Sequence, residues 1–236
     1  MSESRLVDHQ LEGRAHQGRL FHDASGHARP TVLVFHAWDG RTGAMDEMAE
    51  RVAGLGYNAY AVDLYGAGVT GNTPEECQAL MNPLVGDRAR LRALLLSAID
   101  VAAAQGEVDA ARMAAIGFCF GGLCVLDCAR AGAPLKGVAS FHGLFNPTGL
   151  PSVTPIASRV VAYHGWDDPM APPQSVAAFA REFSEAGADW QIHAFGHTMH
   201  GFMHEGANAP AMGIQYNADS ARRAWVGMTA FLAEVL

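Results

Sequence analysis

Cys119 stands in the segment Gly117-Phe118-Cys119-Phe120-Gly121-Gly122, where an apolar, strand-like run gives way to a helical one. The pattern G-x-C-x-G-G suits a sharp strand-to-helix turn. Such a turn strains its central residue, and the flanking glycines let neighbouring chains pass closely. It would lift the Cys119 side chain above a sheet and seat the sulfur at a helix N-terminus. There the dipole and the free N–H groups favour an anionic sulfur, so the chemistry on offer is nucleophilic attack. Cys124 and Cys128 lie further into the same helical run and read as small buried cysteines. No second cysteine stands in a C-x-x-C relation to Cys119, which argues against a dithiol redox role.

A thiol nucleophile of this kind needs a base, and the base an orienting carboxylate, usually in the chain order nucleophile, acid, histidine. The segment His164-Gly165-Trp166-Asp167-Asp168-Pro169 closes an apolar run and offers two carboxylates. Asp168 is the expected acid, because Gly165 permits the turn inward and Pro169 cannot donate a backbone hydrogen bond. Asp167 is expected to cap a helix or meet solvent. Four histidines follow at 193, 197, 200 and 204. His193 falls inside a strand-like run. His200 precedes Gly201-Phe202, where a glycine lets the chain turn against a neighbour, and is the expected base, with His197 second. The glycines at 196 and 201 work against a helical i, i+4 pair and no H-E-x-x-H pattern occurs, so neither a metal nor another cofactor is expected.

The elements that must position these residues are legible as an alternation. Apolar, β-branched runs at 31–36 and 59–64 flank Met45, Met48, Val52 and Leu55, which recur at helical spacing. Strand, helix, strand is the unit that builds a parallel sheet, because parallel neighbours need a crossover. The pattern continues with a helix at 91–104, a strand at 112–117, a helix at 120–131 and strands at 136–141 and 159–164. A helix at 173–186, a strand at 189–194 and a closing helix near 219–234 complete it. The strands lack polar alternation, as expected of a sheet covered on both faces. Residues 4–22 read as an antiparallel edge hairpin. Residues 66–88, which mix Gly, Thr, Pro and short helical pieces, and 203–217 break the alternation; both are candidate pocket walls beyond the carboxyl ends of the strands, where ligands bind in open parallel sheets. No repeat or Pro/Gly-rich linker divides the chain, so one domain over 1–236 is expected.

Composition narrows the partners. The chain has 236 residues, 50% hydrophobic and 17% charged, with a formal net charge of −8 and only 16 Lys plus Arg, scattered rather than clustered. That excludes an electrostatic footprint for nucleic acid. No apolar run approaches the ~18 residues of a membrane span, and the N-terminus has no signal-peptide pattern. Four cysteines without framework spacing point to a reducing, cytoplasmic setting.

With these residues in place, the sequence resembles the dienelactone hydrolase family of α/β-hydrolases from about Leu11 to Leu236. The resemblance is carried by Val34-Phe35-His36, Ala61-Val62-Asp63-Leu64-Tyr65-Gly66, Gly117-Phe118-Cys119-Phe120-Gly121-Gly122, Gly165-Trp166-Asp167-Asp168-Pro169 and His200-Gly201-Phe202. It implies an α/β fold with a mostly parallel central sheet and helices on both faces, and a Cys119–His200–Asp168 triad. It further implies an oxyanion hole from the backbone N–H groups of Phe120 and Trp38, and a carboxylesterase-type hydrolase of a small ester, lactone or thioester acting as a monomer or small homo-oligomer. Ala37, Phe118 and Phe202 are the expected pocket lining. Two departures stand out. Ala37 occupies the place where the family commonly has a glutamate that helps activate the thiol, with Asp39 as a nearby substitute. No arginine follows the histidine to hold a substrate carboxylate, which leaves Arg88, Arg90 and Arg92 as other sources of positive charge. The rival expectation is a binding or regulatory protein of low turnover on the same fold, which Ala37 favours.

Overall fold

The structure, a computed structural model, describes residues 2–236. Ten-residue strands β1 (Ser2–Leu11) and β2 (Arg14–Asp23) form the antiparallel hairpin expected at the start of the chain. From there the chain alternates. Strand β3 (Arg29–Phe35) leads through helix α1 (Gly43–Ala53) to β4 (Asn58–Ala61). Helices α2 (Pro74–Gly86) and α3 (Arg88–Ala103) precede β5 (Val108–Phe118), and α4 (Phe120–Arg130) precedes β6 (Gly137–Phe141). Strand β7 (Arg159–Gly165), helix α5 (Pro173–Glu185), β8 (Trp190–Phe195) and α6 (Ala218–Val235) close the chain.

All eight strands join one sheet in the order β1-β2-β4-β3-β5-β6-β7-β8. Pairings from β4 through β3 to β8 are parallel, and β2 meets β4 antiparallel. Successive residues of each central strand face opposite sides, so both faces must be apolar. Leu33, Phe35, Ala115, Val138 and Val160 pack on one side against α3, α4 and α5. Val32, Val34, Ile116, Ala139 and Val161 pack on the other against α1 and α6. Each such fully buried Val, Leu or Ile contributes ~1.5–3 kcal/mol relative to exposure. This is the mostly parallel α/β architecture that the sequence predicts. The outermost strand β8 differs, since none of its six residues is fully buried.

One expectation needs correction. Residues 66–88 contain a thirteen-residue helix, α2, rather than only loop and short pieces. Its start has a local cause. The Thr73 hydroxyl accepts the Glu76 N–H at 3.3 Å, the Glu76 carboxylate reaches back to the Asn72 N–H at 2.8 Å, and Pro74 opens the first turn. That resembles a capping box shifted by one residue, with Glu76 bonding the residue before the N-cap, and the helix runs on through Pro83. Residues 203–217 are irregular as expected, apart from Asn208–Ala209 pairing with Ile214–Gln215.

Candidate active site

The turn between β5 and α4 sits at the carboxyl end of a central strand. Cys119 is the N-cap of α4 with φ 54° and ψ −112°, a left-handed conformation held by its N–H donating to Phe141 O at 3.0 Å. The neighbouring glycines are required by close approach. A Cβ on Gly117 would collide with the Gly121 carbonyl, and one on Gly121 with the Phe35 carbonyl. The backbone of β3 and the start of α4 therefore touch directly, which fixes the height of the turn over the sheet. Cys119 is half-buried, whereas Cys77, Cys124 and Cys128 are buried, and burial pushes all three of those thiols up.

Asp168 lies in the turn after β7, its N–H donating to Gly165 O at 3.1 Å. Its carboxylate is buried and has two partners. Oδ1 accepts the Met170 N–H at 2.8 Å and Oδ2 accepts His200 Nδ1 at 2.8 Å. His200, from the loop after β8, is buried too and is pinned through its backbone. Its N–H donates to Gly213 O at 2.9 Å and its carbonyl accepts from Gln215 at 3.0 Å. Burial alone would strip the imidazole of charge, but hydrogen bonds and charge from Asp168 and Cys119 outweigh it and raise His200 to about 10. Nδ1 is committed to Asp168, while Nε2 is buried and has no hydrogen-bond partner among the described residues; Cys119 lies near enough to act on the ring electrostatically.

The other sequence candidates sort differently. His197 is fully exposed and approaches only Asp167, at 3.8 Å; Asp167 is itself exposed and caps no helix. His193 is exposed on β8. Trp38 and Ala37 are half-buried in the loop after β3. The Trp38 carbonyl accepts the Tyr65 hydroxyl at 3.0 Å, and the Tyr65 ring stacks on Phe120, centroids 6.0 Å apart. This arrangement packs the Trp38 loop against the first residue of α4. Phe120 occupies the first helical position, where the N–H has no intrahelical acceptor. Phe118 and Phe202, the expected pocket residues, are both buried. Phe118 stacks on Phe141 with centroids 4.8 Å apart, and both residues are buried in the core. The reason is strand alternation, which turns Phe118 down into the α1/α6 layer.

Each of the three arginines has a partner within the chain, but only Arg88 is held by a buried carboxylate. Arg88 grips Asp127 with bonds of 2.8 and 2.6 Å, Arg90 pairs with Glu12 at 2.8 Å, and Arg92 donates to Pro151 O at 2.9 Å. Asp127 also accepts from Arg130 at 3.0 Å, and Arg130 holds Glu182 at 2.7 and 2.8 Å, so a satisfied ion network underlies α4. Asp39 has no cationic side chain in bonding contact among the described residues, and burial pushes its carboxyl above the usual range. His36 donates Nδ1–H to Ala37 O at 2.6 Å and accepts Leu64 N–H at Nε2 at 3.2 Å, a structural role. No cluster of three metal-ligating side chains occurs among the described residues. Two cavities of about 170 and 220 Å³ lie elsewhere, lined by residues including Arg14 and Arg90, and Arg51 and Trp225.

Sequence reasoning missed His142 and His164. Both are buried with neither ring nitrogen paired, and both lie at strand ends beside the Asp168–His200 pair. His142 ends a strand next to Gly143 but has no charge partner in sequence, so only the strand order places it beside His200.

The model of the dienelactone hydrolase family matches residues 17–236, and the chain belongs to that family. The structure of the protein called m3DLH is similar at 37% identity and a TM-score of 0.93, over 100% of this chain and 99% of that one. A dienelactone hydrolase-like promiscuous phosphotriesterase from metagenomic libraries is similar at 33% identity and a TM-score of 0.92, over 99% and 98%. An uncharacterised Caenorhabditis elegans protein shares 32% identity over 155 residues, 64% of this chain and 98% of its own. No helix among the described residues is long and apolar enough to cross a membrane. The family and these neighbours make the chain a hydrolase of ester-type substrates.

Proposed function

We propose that this member of the dienelactone hydrolase family is a cysteine hydrolase that cleaves uncharged esters or thioesters of small molecules. The observation that carries the reading is the buried 2.8 Å contact between Asp168 and His200 beside a cysteine held at positive φ on a strand-to-helix turn. Cys119 Sγ, its proton already held by His200 in the resting enzyme, attacks the carbonyl carbon. The Phe120 and Trp38 N–H groups take the oxyanion: the Phe120 N–H opens α4 without an intrahelical acceptor, and the Trp38 loop packs against Phe120 through Tyr65. Collapse expels the alcohol or thiol, which takes the proton from His200, and leaves a thioester on Cys119. Water then gives a proton to His200 and attacks the thioester, releasing the acid and restoring the free Cys119 sulfur beside a protonated His200. Asp168 fixes the tautomer throughout, so that Nε2 always faces the sulfur.

The preference for uncharged substrates rests on the burial of Arg88 against Asp127 and on a half-buried carboxylate at Asp39 with no arginine or lysine in bonding contact. Neutral phosphotriesters belong to the same class, and one similar structure bears a phosphotriesterase name. The test is a panel of p-nitrophenyl acetate, a thioester and a neutral phosphotriester against wild type and Cys119→Ala. Mass spectrometry should find the acyl group on Cys119 of wild type. Wild-type turnover by the Cys119→Ala variant defeats the assignment. A Cys119 inert to iodoacetamide would indicate a binding protein instead.

A further inference from the structure

We propose that His142 is a positioning residue for His200, a neutral ring that packs against it and favours its protonated form. The proposal rests on the reading above, in which His200 serves Cys119. His142 is the first residue after β6, between the strands that carry Cys119 and Asp168. Its N–H donates to Tyr163 O at 2.9 Å, but its φ is 37°, so the chain leaves the strand by a left-handed turn. A regular strand would carry the side chain to the α4 side, opposite Phe141. The turn instead brings the ring to His200, with centroids 5.0 Å apart and planes at 68°, and to Phe202 and Phe118 at 5.3 and 6.2 Å.

Neither packing nor backbone calls for an imidazole at this position. A buried polar group without a partner costs ~1–3 kcal/mol, and a non-glycine residue at positive φ adds a similar cost. Phenylalanine would avoid the first cost and glycine the second. Such an outlier at a site is a reason to look for function. Burial holds His142 neutral, well below the usual histidine range, and the charges of His200 and His204 act in the same direction. A neutral imidazole keeps one basic nitrogen in either tautomer. Beside an imidazolium, the tautomer that turns its negative end toward the charge is favoured, and a fixed dipole acts more strongly there than in water.

The other groups facing His200 are accounted for. Cys119 faces it from the β5–α4 turn, Asp168 from the turn after β7 and His204 from its own loop through His142. His164, at the end of β7, packs on Phe145 and Trp166 at 5.4 and 6.4 Å, and burial keeps it neutral. His142 alone touches the His200 ring edge to face among the histidines.

Two variants separate shape from polarity. His142→Phe keeps an aromatic wall and removes both nitrogens; His142→Asn keeps polarity and tolerates left-handed backbone. The expected result for His142→Phe is loss of the His200 proton about half to one pH unit lower than in wild type, read by NMR of labelled histidine and by the pH profile of Cys119 alkylation. Its kcat should fall several-fold only from about pH 9 upward, where the shifted proton is lost, and stay near wild type at pH 7 with KM within twofold; His142→Asn should recover part of the loss. A wild-type profile and kcat in His142→Phe overturn the proposal, and so does a fall in kcat with an unmoved profile. If His142→Phe does not fold, the wild-type spectrum decides, since a His142 protonated above about pH 5 is incompatible with the role. An active Cys119→Ala would sink the hydrolase reading, whereas an inactive Cys119→Ala with an unmoved His142→Phe profile would sink only this one.

Discussion

Two buried polar clusters lie on either side of the nucleophile turn, and they are built on opposite principles. Beneath α4, Arg88, Asp127, Arg130 and Glu182 form a chain of ion pairs, all with bonds between 2.6 and 3.0 Å. At the strand ends, His142, His164 and His200 together leave five ring nitrogens buried and without a protein partner. The first cluster is finished and has nothing left to offer a ligand. The second keeps unmet hydrogen-bonding capacity in a dry place, which is what a reacting site requires. The same chain thus holds one buried polar group for integrity and another for chemistry, and partner satisfaction tells them apart.

Substitutions should break along that line. Cys119→Ala is expected to lose about a thousandfold or more in esterase turnover with little change in melting temperature, measured by steady-state kinetics and calorimetry. Asp127→Ala should do the reverse in kind, costing ~3–5 kcal/mol in urea unfolding because it strands the buried Arg88 guanidinium and removes one of the two carboxylates that hold Arg130. If it loses turnover while keeping stability, the two clusters are not separate. A subtler contrast comes from pH. His200 is raised from about 6.5 to about 10, so the stability it contributes is fully present below about pH 6.5 and disappears as pH rises through about 10. The melting-temperature gap between wild type and His200→Gln should therefore narrow from pH 6.5 upward, whereas the gap for Asp127→Ala should stay level. The smallest effect is expected for Asp39→Asn. Its ratio of kcat/KM for a mono-p-nitrophenyl succinate over p-nitrophenyl acetate should rise about threefold to fivefold, the scale of a partly solvated charge.

How much of this was legible depended on whether the cause was local. The strand and helix alternation was readable because the apolar runs are continuous and the helical spacing regular, and the turn at Cys119 was readable because its glycines answer to close approach of the backbone itself. Asp168 could be preferred to Asp167, and His200 to His197, from the placing of Gly165, Pro169 and Gly201. Helix α2 was misread because glycine and proline suggested a loop while the cap at Thr73 and Glu76 was overlooked. Phe118 and Phe202 were expected at a pocket, and their facing is set by pleat and by the α1/α6 layer. The engagement of Arg88 by Asp127 and of Arg90 by Glu12 spans 39 and 78 residues, and His142 meets His200 only because β6 lies between β5 and β7. Long-range facts of that sort have no local signature.

Strand β8 carries a final consequence. It is the rim of the sheet, bonded on one side only and with no fully buried residue, yet the loop that presents His200 hangs from it. Rim strands fray first, at a free energy well below that of whole-molecule unfolding. Gentle heating or dilute urea should therefore detach the imidazole from a nucleophile still seated in the middle of the sheet. Loss of turnover would then precede any change in the far-ultraviolet dichroism of the helices.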